Sequence, residues 1–175
     1  MTLTKNYQML GQAYLGNSYG DTYIRIYAKY SEQNENTLQS TVQYQARAYY
    51  GGNTYIRDRN SYGSISGTGA SSSNYSRYDD YGSGETILAT IEGTVNHNPD
   101  TGKASISASA SLTFPNWGWG NTATGSADLP DIETSTLRLR VNNQWVKATP
   151  YLRLNNQWVK CKAYLRTNNE WKKGV

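Results

Sequence analysis

The chain is poor in the residues that carry covalent cross-links or proton chemistry. It has one cysteine, Cys161, and one histidine, His97. A single thiol excludes an internal disulfide and any zinc site built on several thiolates. No run of eighteen apolar residues is present, so no segment reads as a membrane-spanning helix. Met1 to Tyr7 carries no apolar signal core, and the expectation is synthesis in a cytosol without export by a standard signal. Hydrophobic residues make up only 37% of the chain, a proportion that would suggest disorder if aromatic residues were also scarce.

They are not scarce. Sixteen tyrosines and five tryptophans supply large buriable surface, and Tyr, Thr, Val and Ile favour pleated, half-buried strands. Period-2 alternation is clearest from Lys103 to Phe114. There Ala104, Ile106, Ala108, Ala110, Leu112 and Phe114 share one side and Ser105, Ser107, Ser109, Ser111 and Thr113 the other. Thr22 to Tyr30 places Ile24, Ile26, Ala28 and Tyr30 opposite Tyr23, Arg25, Tyr27 and Lys29. Thr41 to Tyr50 places Val42, Tyr44, Ala46, Ala48 and Tyr50 opposite Gln43, Gln45, Arg47 and Tyr49. Glu85 to Val95 reads as a strand with Ile87, Ala89 and Ile91 on one side, and weaker strands fall at Gln8–Leu15 and Tyr55–Asp58. Gly16-Asn17, Gly51-Gly52-Asn53 and Asn98-Pro99-Asp100-Thr101-Gly102 mark turns. Asn60 to Gly84, rich in Ser, Gly and Tyr, reads as a long irregular loop. No helical segment of ten residues is apparent. The fold class expected is all-β, an antiparallel two-sheet β-sandwich, Ig-like or jelly-roll-like.

Charge divides the chain in two. Residues 1–135 hold eight Lys/Arg against twelve Asp/Glu, a net of −4, and residues 136–175 hold nine against one, a net of +8. The switch follows Asp128-Leu129-Pro130-Asp131-Ile132-Glu133-Thr134, which reads as a linker, so the domains expected are 1–133 and 134–175. The second region is a repeat. Leu139-Arg140-Val141-Asn142-Asn143-Gln144-Trp145-Val146-Lys147 returns at Leu152–Lys160 and again at Leu165–Lys173, with Trp145, Trp158 and Trp171 thirteen residues apart. Asn-Asn tolerates the positive φ angles of a type I′ turn, so each unit reads as a hairpin. Leu and Trp are expected on its buried face, Arg and Lys on the exposed one.

Chemistry is hard to assemble from what remains. His97, beside a Pro-Asp-Thr-Gly turn, reads as a residue hydrogen-bonding its own loop, with no nucleophile to serve. Cys161 stands where the other repeats have Ala148 or Thr149. Asp79, Asp80 and Glu85 lack the spacing of a calcium loop, and the other acids are too dispersed to name a glycosidase pair. No catalytic residue, cofactor or metal is therefore expected, and the chain reads as a non-enzyme. The candidate contact residues are aromatic: Tyr62, Tyr75, Tyr78, Tyr81, Trp117 and Trp119, which serve either a recognition surface or core packing. In the repeat, Arg140, Trp145, Arg153, Trp158, Arg166 and Trp171 are the candidates for attachment to a partner. Basic residues alternating with apolar ones at strand spacing describe a solvated strand face better than a nucleic-acid grip.

Two stretches resemble a known family. The turn His97-Asn98-Pro99-Asp100-Thr101-Gly102 and the Ser/Ala strand after it resemble the His-Asn-x-Asp-Gly turn and strand of tail-associated and minor structural proteins of phages infecting Gram-positive bacteria. Leu129-Pro130-Asp131-Ile132 resembles the Leu-Pro-x-Ile that closes that module, and the Asn-x-x-Trp-x-Lys repeats look like those ending many such proteins. Thr101 lengthens the turn, and Glu133-Thr134 stands where Pro-Arg is usual. The resemblance implies a β-sandwich displayed on a virion, tail- or baseplate-associated and multicopy. Its implied partners are other virion proteins, copies of itself and host cell-surface polysaccharide. A capsid decoration or head-fibre protein and a free carbohydrate-binding lectin are the alternatives.

Overall fold

The computed structural model describes the whole chain except residues 18–19, 53–59, 78–80, 135–136, 149, 162, 168–169 and 174–175. The expected strand at Tyr55–Asp58 therefore lies outside the described residues. Eight strands form one antiparallel sheet: β1 (Gln8–Asn17), β2 (Asp21–Asn34), β3 (Gln39–Tyr50), β4 (Ser61–Gly67), β5 (Ala70–Arg77), β6 (Gly84–Asn96), β7 (Ser105–Phe114) and β8 (Trp119–Asp128). Their order is β1-β2-β3-β6-β5-β4-β7-β8, and β1 returns beside β8, so the sheet is nearly closed into a barrel. The all-β, antiparallel expectation holds at that level. The only helical turn among the described residues is the 3-10 turn Pro115–Trp117.

The alternation read from the sequence sets which side chains fill the interior. Ile24, Ile26 and Ala28 of β2, Val42, Tyr44, Ala46, Ala48 and Tyr50 of β3, and Ile106, Ala108, Ala110, Leu112 and Phe114 of β7 are all buried. Tyr44 compensates for the shortage of Leu and Phe. Its ring lies over Gly67, where a Cβ would approach to 2.6 Å, and its hydroxyl donates to the Thr68 carbonyl at 2.8 Å. Burial without a charged partner pushes the Tyr44 phenol up to about 12.

Glycine makes both seams of the barrel. Between β5 and β6 the ladder shrinks to a single pair, Ala70 with Gly93. Gly69 (φ +75) and Gly93 meet the facing backbone so closely that a Cβ would fall 2.2 Å from the Thr94 oxygen or 2.4 Å from the Ala70 nitrogen. Between β1 and β8, a Cβ on Gly11 would lie 2.0 Å from the Thr124 oxygen, and one on Gly125 would lie 2.4 Å from the Leu10 oxygen. Side chains cannot pass there, and only glycine lets the backbones meet.

Several expectations change. Asn60–Gly84 is not a long loop: it contains the hairpin β4–β5, turning at Thr68-Gly69. Its inward positions include Gly63 and Gly67, which carry no apolar side chain, so the alternation is invisible in hydrophobicity. In β6 an extra residue, Leu88, shifts the register between Ala46/Arg47 and Ala89/Ile87. The bulge reverses the inside–outside phase, and Ile87, expected beside Ala89 and Ile91, is 54% exposed. The stretch 128–134 is no free linker, because Leu129 and Ile132 are buried and their amides donate to the Ala104 and Gly102 carbonyls. At the other terminus, Thr2 bridges Asp128 in parallel and buried Leu3 donates its amide to the Asp128 carbonyl.

The repeats form three two-stranded antiparallel pairs: β9 (Arg138–Val141) with β10 (Gln144–Lys147), β11 (Tyr151–Leu154) with β12 (Gln157–Lys160), and β13 (Tyr164–Thr167) with β14 (Glu170–Lys173). Asn142, Asn143, Asn155 and Asn156 all have φ between +47 and +65, as a type I′ turn requires.

Candidate functional site

The fold offers surfaces, and three are distinct. The first is the outer face of β1, β2, β3 and β6. Register places Arg25 of β2 directly opposite Arg47 of β3, with Tyr23 opposite Tyr49 beside them. Two like charges in that position repel. Glu85 of β6 answers both, accepting from Arg25 Nη1 at 2.8 Å and Arg47 Nη1 at 2.9 Å, and it also accepts the Tyr27 hydroxyl at 2.5 Å. Each guanidinium lies over an aromatic ring, Arg25 at 3.9 Å from the Tyr49 centroid and Arg47 at 4.2 Å from that of Tyr27. Partial burial by itself would raise the Glu85 carboxyl. Hydrogen bonds from Tyr27, Arg25 and Arg47 outweigh that and hold it below its ordinary value. The Tyr27 phenol moves up, through burial first and its bond to Glu85 second. Tyr14, at the edge, meets Tyr23 edge-on with centroids 5.5 Å apart. The result is a flat aromatic and guanidinium face whose members fix one another.

The sequence reading did not single out this cluster. Alternation puts Tyr23, Arg25, Tyr27, Arg47 and Tyr49 on one side, but pairing them needs the register, and Glu85 comes from a strand far along the chain. A usable signal exists in the hairpin itself, where Tyr23-x-Arg25-x-Tyr27 runs antiparallel to Arg47-x-Tyr49. Because Glu85 is held by two arginines and a phenol, it is committed to that face, and Asp79 and Asp80 lie outside the described residues. No cluster of three metal-ligating side chains occurs among the described residues.

The second surface is a groove of about 530 Å³ over β5, β4 and β7, lined by Tyr62, Gly63, Ser64, Asn74, Tyr75, Ser76, Ser111 and Thr113. Two of the expected contact residues, Tyr62 and Tyr75, are among the residues that line it. Tyr62 is exposed. Tyr75 is wedged beside Gly63 and donates its hydroxyl to the Ser111 carbonyl, and burial raises its phenol well above the ordinary tyrosine range. The serines of β7 do more than face solvent, because they pair across to β4. Ser64 with Ser111 (3.0 Å), Ser66 with Ser109 (2.9 Å) and Thr68 with Ser107 (3.3 Å) form a ladder of hydroxyls.

The other expected aromatic residues go elsewhere. Tyr81 is 2% exposed and shares a 2.5 Å hydrogen bond with Ser61, so it is a core residue and not a contact ring. Trp119 is half-buried, edge-on to Phe114 and seated on Gly16, where a Cβ would strike its ring. Trp117 leans on Trp119 with centroids 5.2 Å apart and keeps its outer side exposed. Tyr78 lies outside the described residues.

The third surface is the set of hairpins. Arg153 stands directly opposite Trp158, and Leu152 opposite Val159. Residues directly opposite share a face, so Leu and Trp lie on opposite faces of the hairpin. The expectation that they share its buried face is thereby corrected: the strand period of two places neighbours such as Leu152 and Arg153 on different sides. Arg140 pairs with Trp145 and Arg166 with Trp171 in the same register, although the side chains of Trp145 and Trp171 are outside the described part. In the second hairpin both faces are open: Trp158 is 68% exposed, and Leu152, Leu154 and Val159 are exposed as well. The Arg153 guanidinium lies 5.9 Å from the Trp158 ring centroid and donates to Asn156 Oδ1 at 3.0 Å.

His97 is buried and fully engaged. Its Nδ1 lies 2.7 Å from the Gly102 carbonyl, which can only accept, so Nδ1 donates there, and Nε2 shares a 2.7 Å hydrogen bond with the Ser40 hydroxyl. The expected bond to its own loop is there, and the bond to Ser40 adds a tie to β3. Ser40 is itself fully buried, so this Ser–His contact lies away from solvent and clasps the 97–103 loop.

The chain matches no protein-family model and no curated protein. No helix among the described residues is long and apolar enough to cross a membrane.

Proposed function

We propose that the chain is a structural protein of a bacteriophage virion, tail- or baseplate-associated, which assembles in several copies and contacts the host envelope. The observation that carries this reading is the hairpin repeat. Three short, basic hairpins, one of them displaying Leu152, Leu154, Val159 and Trp158 to solvent, present more uncovered apolar surface than an isolated unit would keep. Such a surface suits a protein that is finished by its neighbours, whether other virion proteins or further copies of itself. The turn and Ser/Ala strand at 97–109 and the Leu129–Ile132 closure support the phage assignment through their resemblance to tail-associated proteins.

In this reading residues 1–133 are the scaffold, a flattened barrel that works as a two-layer sandwich of β1-β2-β3-β6 and β5-β4-β7-β8, and residues 134–175 are the attachment module. The glycine seams are the corners between layers. The Tyr/Arg face and the groove are contact surfaces, and a high copy number makes weak contacts effective through avidity. The chain acts by binding and carries no catalytic duty. Cryo-imaging of virions with a gold label at the C-terminus tests the assignment. Label at the tail or baseplate is the expected result; label on heads would replace it with a capsid decoration or head fibre, and unlabelled virions would overturn the virion reading.

A further inference from the structure

The groove over β5, β4 and β7 has a chemistry of its own. Every described side chain lining it is neutral. At its rim stands Tyr62, 54% exposed, offering a ring with a polar tip. Across its floor lie short donors and acceptors: the Ser64 and Ser111 hydroxyls and the Asn74 amide. These groups are held in place. Ser111 is fixed by its carbonyl bond from Tyr75 and by the Ser64 amide, which donates to its hydroxyl at 3.0 Å. Tyr75 in turn needs the bare Cα of Gly63, since a Cβ there would lie 2.8 Å from its ring. A volume of about 530 Å³ falls within the range of small-ligand sites.

From this we infer that the groove is a subsite for a neutral saccharide. A sugar ring has an apolar C–H face that stacks on an aromatic ring and an equatorial rim of hydroxyls that both donate and accept. The groove supplies one aromatic face and a floor of groups that also donate and accept. A phosphorylated, sulfated or carboxylated ligand would find no counter-charge among the described lining residues, and burying an uncompensated anion is costly. This selectivity separates the groove from the basic hairpins, whose charge favours anions. The inference rests on the host-contact reading above, for which it names the ligand class.

The test uses the full-length chain and a panel of neutral tetrasaccharides (gluco-, galacto- and N-acetylglucosamine-based), with sulfated and phosphorylated counterparts, followed by titration calorimetry and amide shift mapping at millimolar ligand. At least one neutral glycan should bind, shift amides of β4, β5 and β7, and lose tenfold or more in affinity on Tyr62→Ala. Tyr62 is exposed, so that variant keeps its fold; Asn74→Leu, which removes the amide and keeps the volume, should weaken binding in the same direction. Trp158→Ala in the hairpins should leave binding unchanged. No binding by any neutral glycan, binding by charged glycans alone, or equal affinity of wild type and Tyr62→Ala would overturn the inference. The Tyr62→Ala chain should still enter virions, so loss of glycan binding is distinguishable from failure of the virion assignment.

Discussion

Replacing Glu85 by Gln tests the physical account of the Tyr/Arg face. The side chain keeps its shape but loses the charge that separates Arg25 from Arg47, which sit opposite one another across β2 and β3. Three contributions are lost. Two are ion pairs at 2.8 and 2.9 Å between side chains still 19–27% exposed, where solvent screening limits each to about 0.2–1 kcal/mol. The third is the Tyr27 hydrogen bond to a carboxylate, at the low end of about 1.5–3 kcal/mol because the site is half-open. Gln recovers part of this through its carbonyl, leaving a net loss of about 1–2 kcal/mol. For a domain of this size that lowers the melting temperature by roughly 2–8 °C.

The pH dependence gives the sharper signature. Glu85 titrates below its ordinary value of 4.5 in the folded chain, so its stabilisation is fully present above that value and disappears as pH falls through the folded value. Denaturant melts of wild type and Glu85→Gln should differ at neutral pH and converge in acid, and high salt should narrow the gap. Identical melts at neutral pH and low salt, or a gap that persists in strong acid, would refute the claim that Glu85 holds the two arginines together.

Three other outcomes follow from the same structure. Gly125→Ala drives a Cβ against the Leu10 oxygen at the β1–β8 seam and should cost about 1–3 kcal/mol, seen as faster amide exchange in β1 and β8 together; local exchange confined to β8 would contradict the close packing of β1 on β8. Asn156→Val forces a β-branched residue to φ +65 at about 1–2 kcal/mol, enough to melt the second hairpin by NMR without moving the barrel's thermal transition, whereas Asn156→Gly should leave the hairpin intact. Alkali should destabilise the barrel, because the buried Tyr44 phenol ionises only near pH 12 and Tyr75 is raised too. Their unfolded forms lose the proton near the ordinary value, so stability is full below about pH 10 and falls above it by about 1.4 kcal/mol per pH unit for each tyrosine; a flat profile into strong alkali would contradict their burial.

How far the sequence reaches depends on what a local pattern can encode. Inside and outside are legible wherever alternation is carried by side chains of different polarity, as in Thr22–Tyr30, Thr41–Tyr50 and Lys103–Phe114. They are illegible where the inward side chain is a hydrogen atom: Gly63 and Gly67 hide β4, and Gly125 helps to hide β8. A one-residue bulge at Leu88 defeats the pattern in β6, because nothing in the local sequence announces a register shift set by the partner strand. The hairpin turns are readable from Asn-Asn, since the αL preference is local, but the face of each tryptophan needed the pairing of Arg153 with Trp158. Among the candidate contact residues, the β4–β5 register leaves Tyr62 exposed at a groove and turns Tyr75 inward over Gly63. Tyr81 was indistinguishable from them by composition, and only its position beneath Ser61 makes it core. In the Tyr/Arg/Glu face the β2–β3 hairpin carries a local signal for the tyrosines and arginines, but Glu85 comes from β6 and was beyond any short-range signal.

The claim on which the functional reading depends is that the barrel is complete in itself and the hairpins exist for a partner. Ending the chain after Glu133 removes all three hairpins and leaves Leu129 and Ile132 buried in the body. Calorimetry of the shortened chain beside the full-length protein, with incorporation into virions scored in parallel, examines both halves of the claim. The account predicts a cooperative transition at nearly the full-length temperature and loss of incorporation; an unfolded fragment, or one that assembles as well as the intact chain, would contradict it.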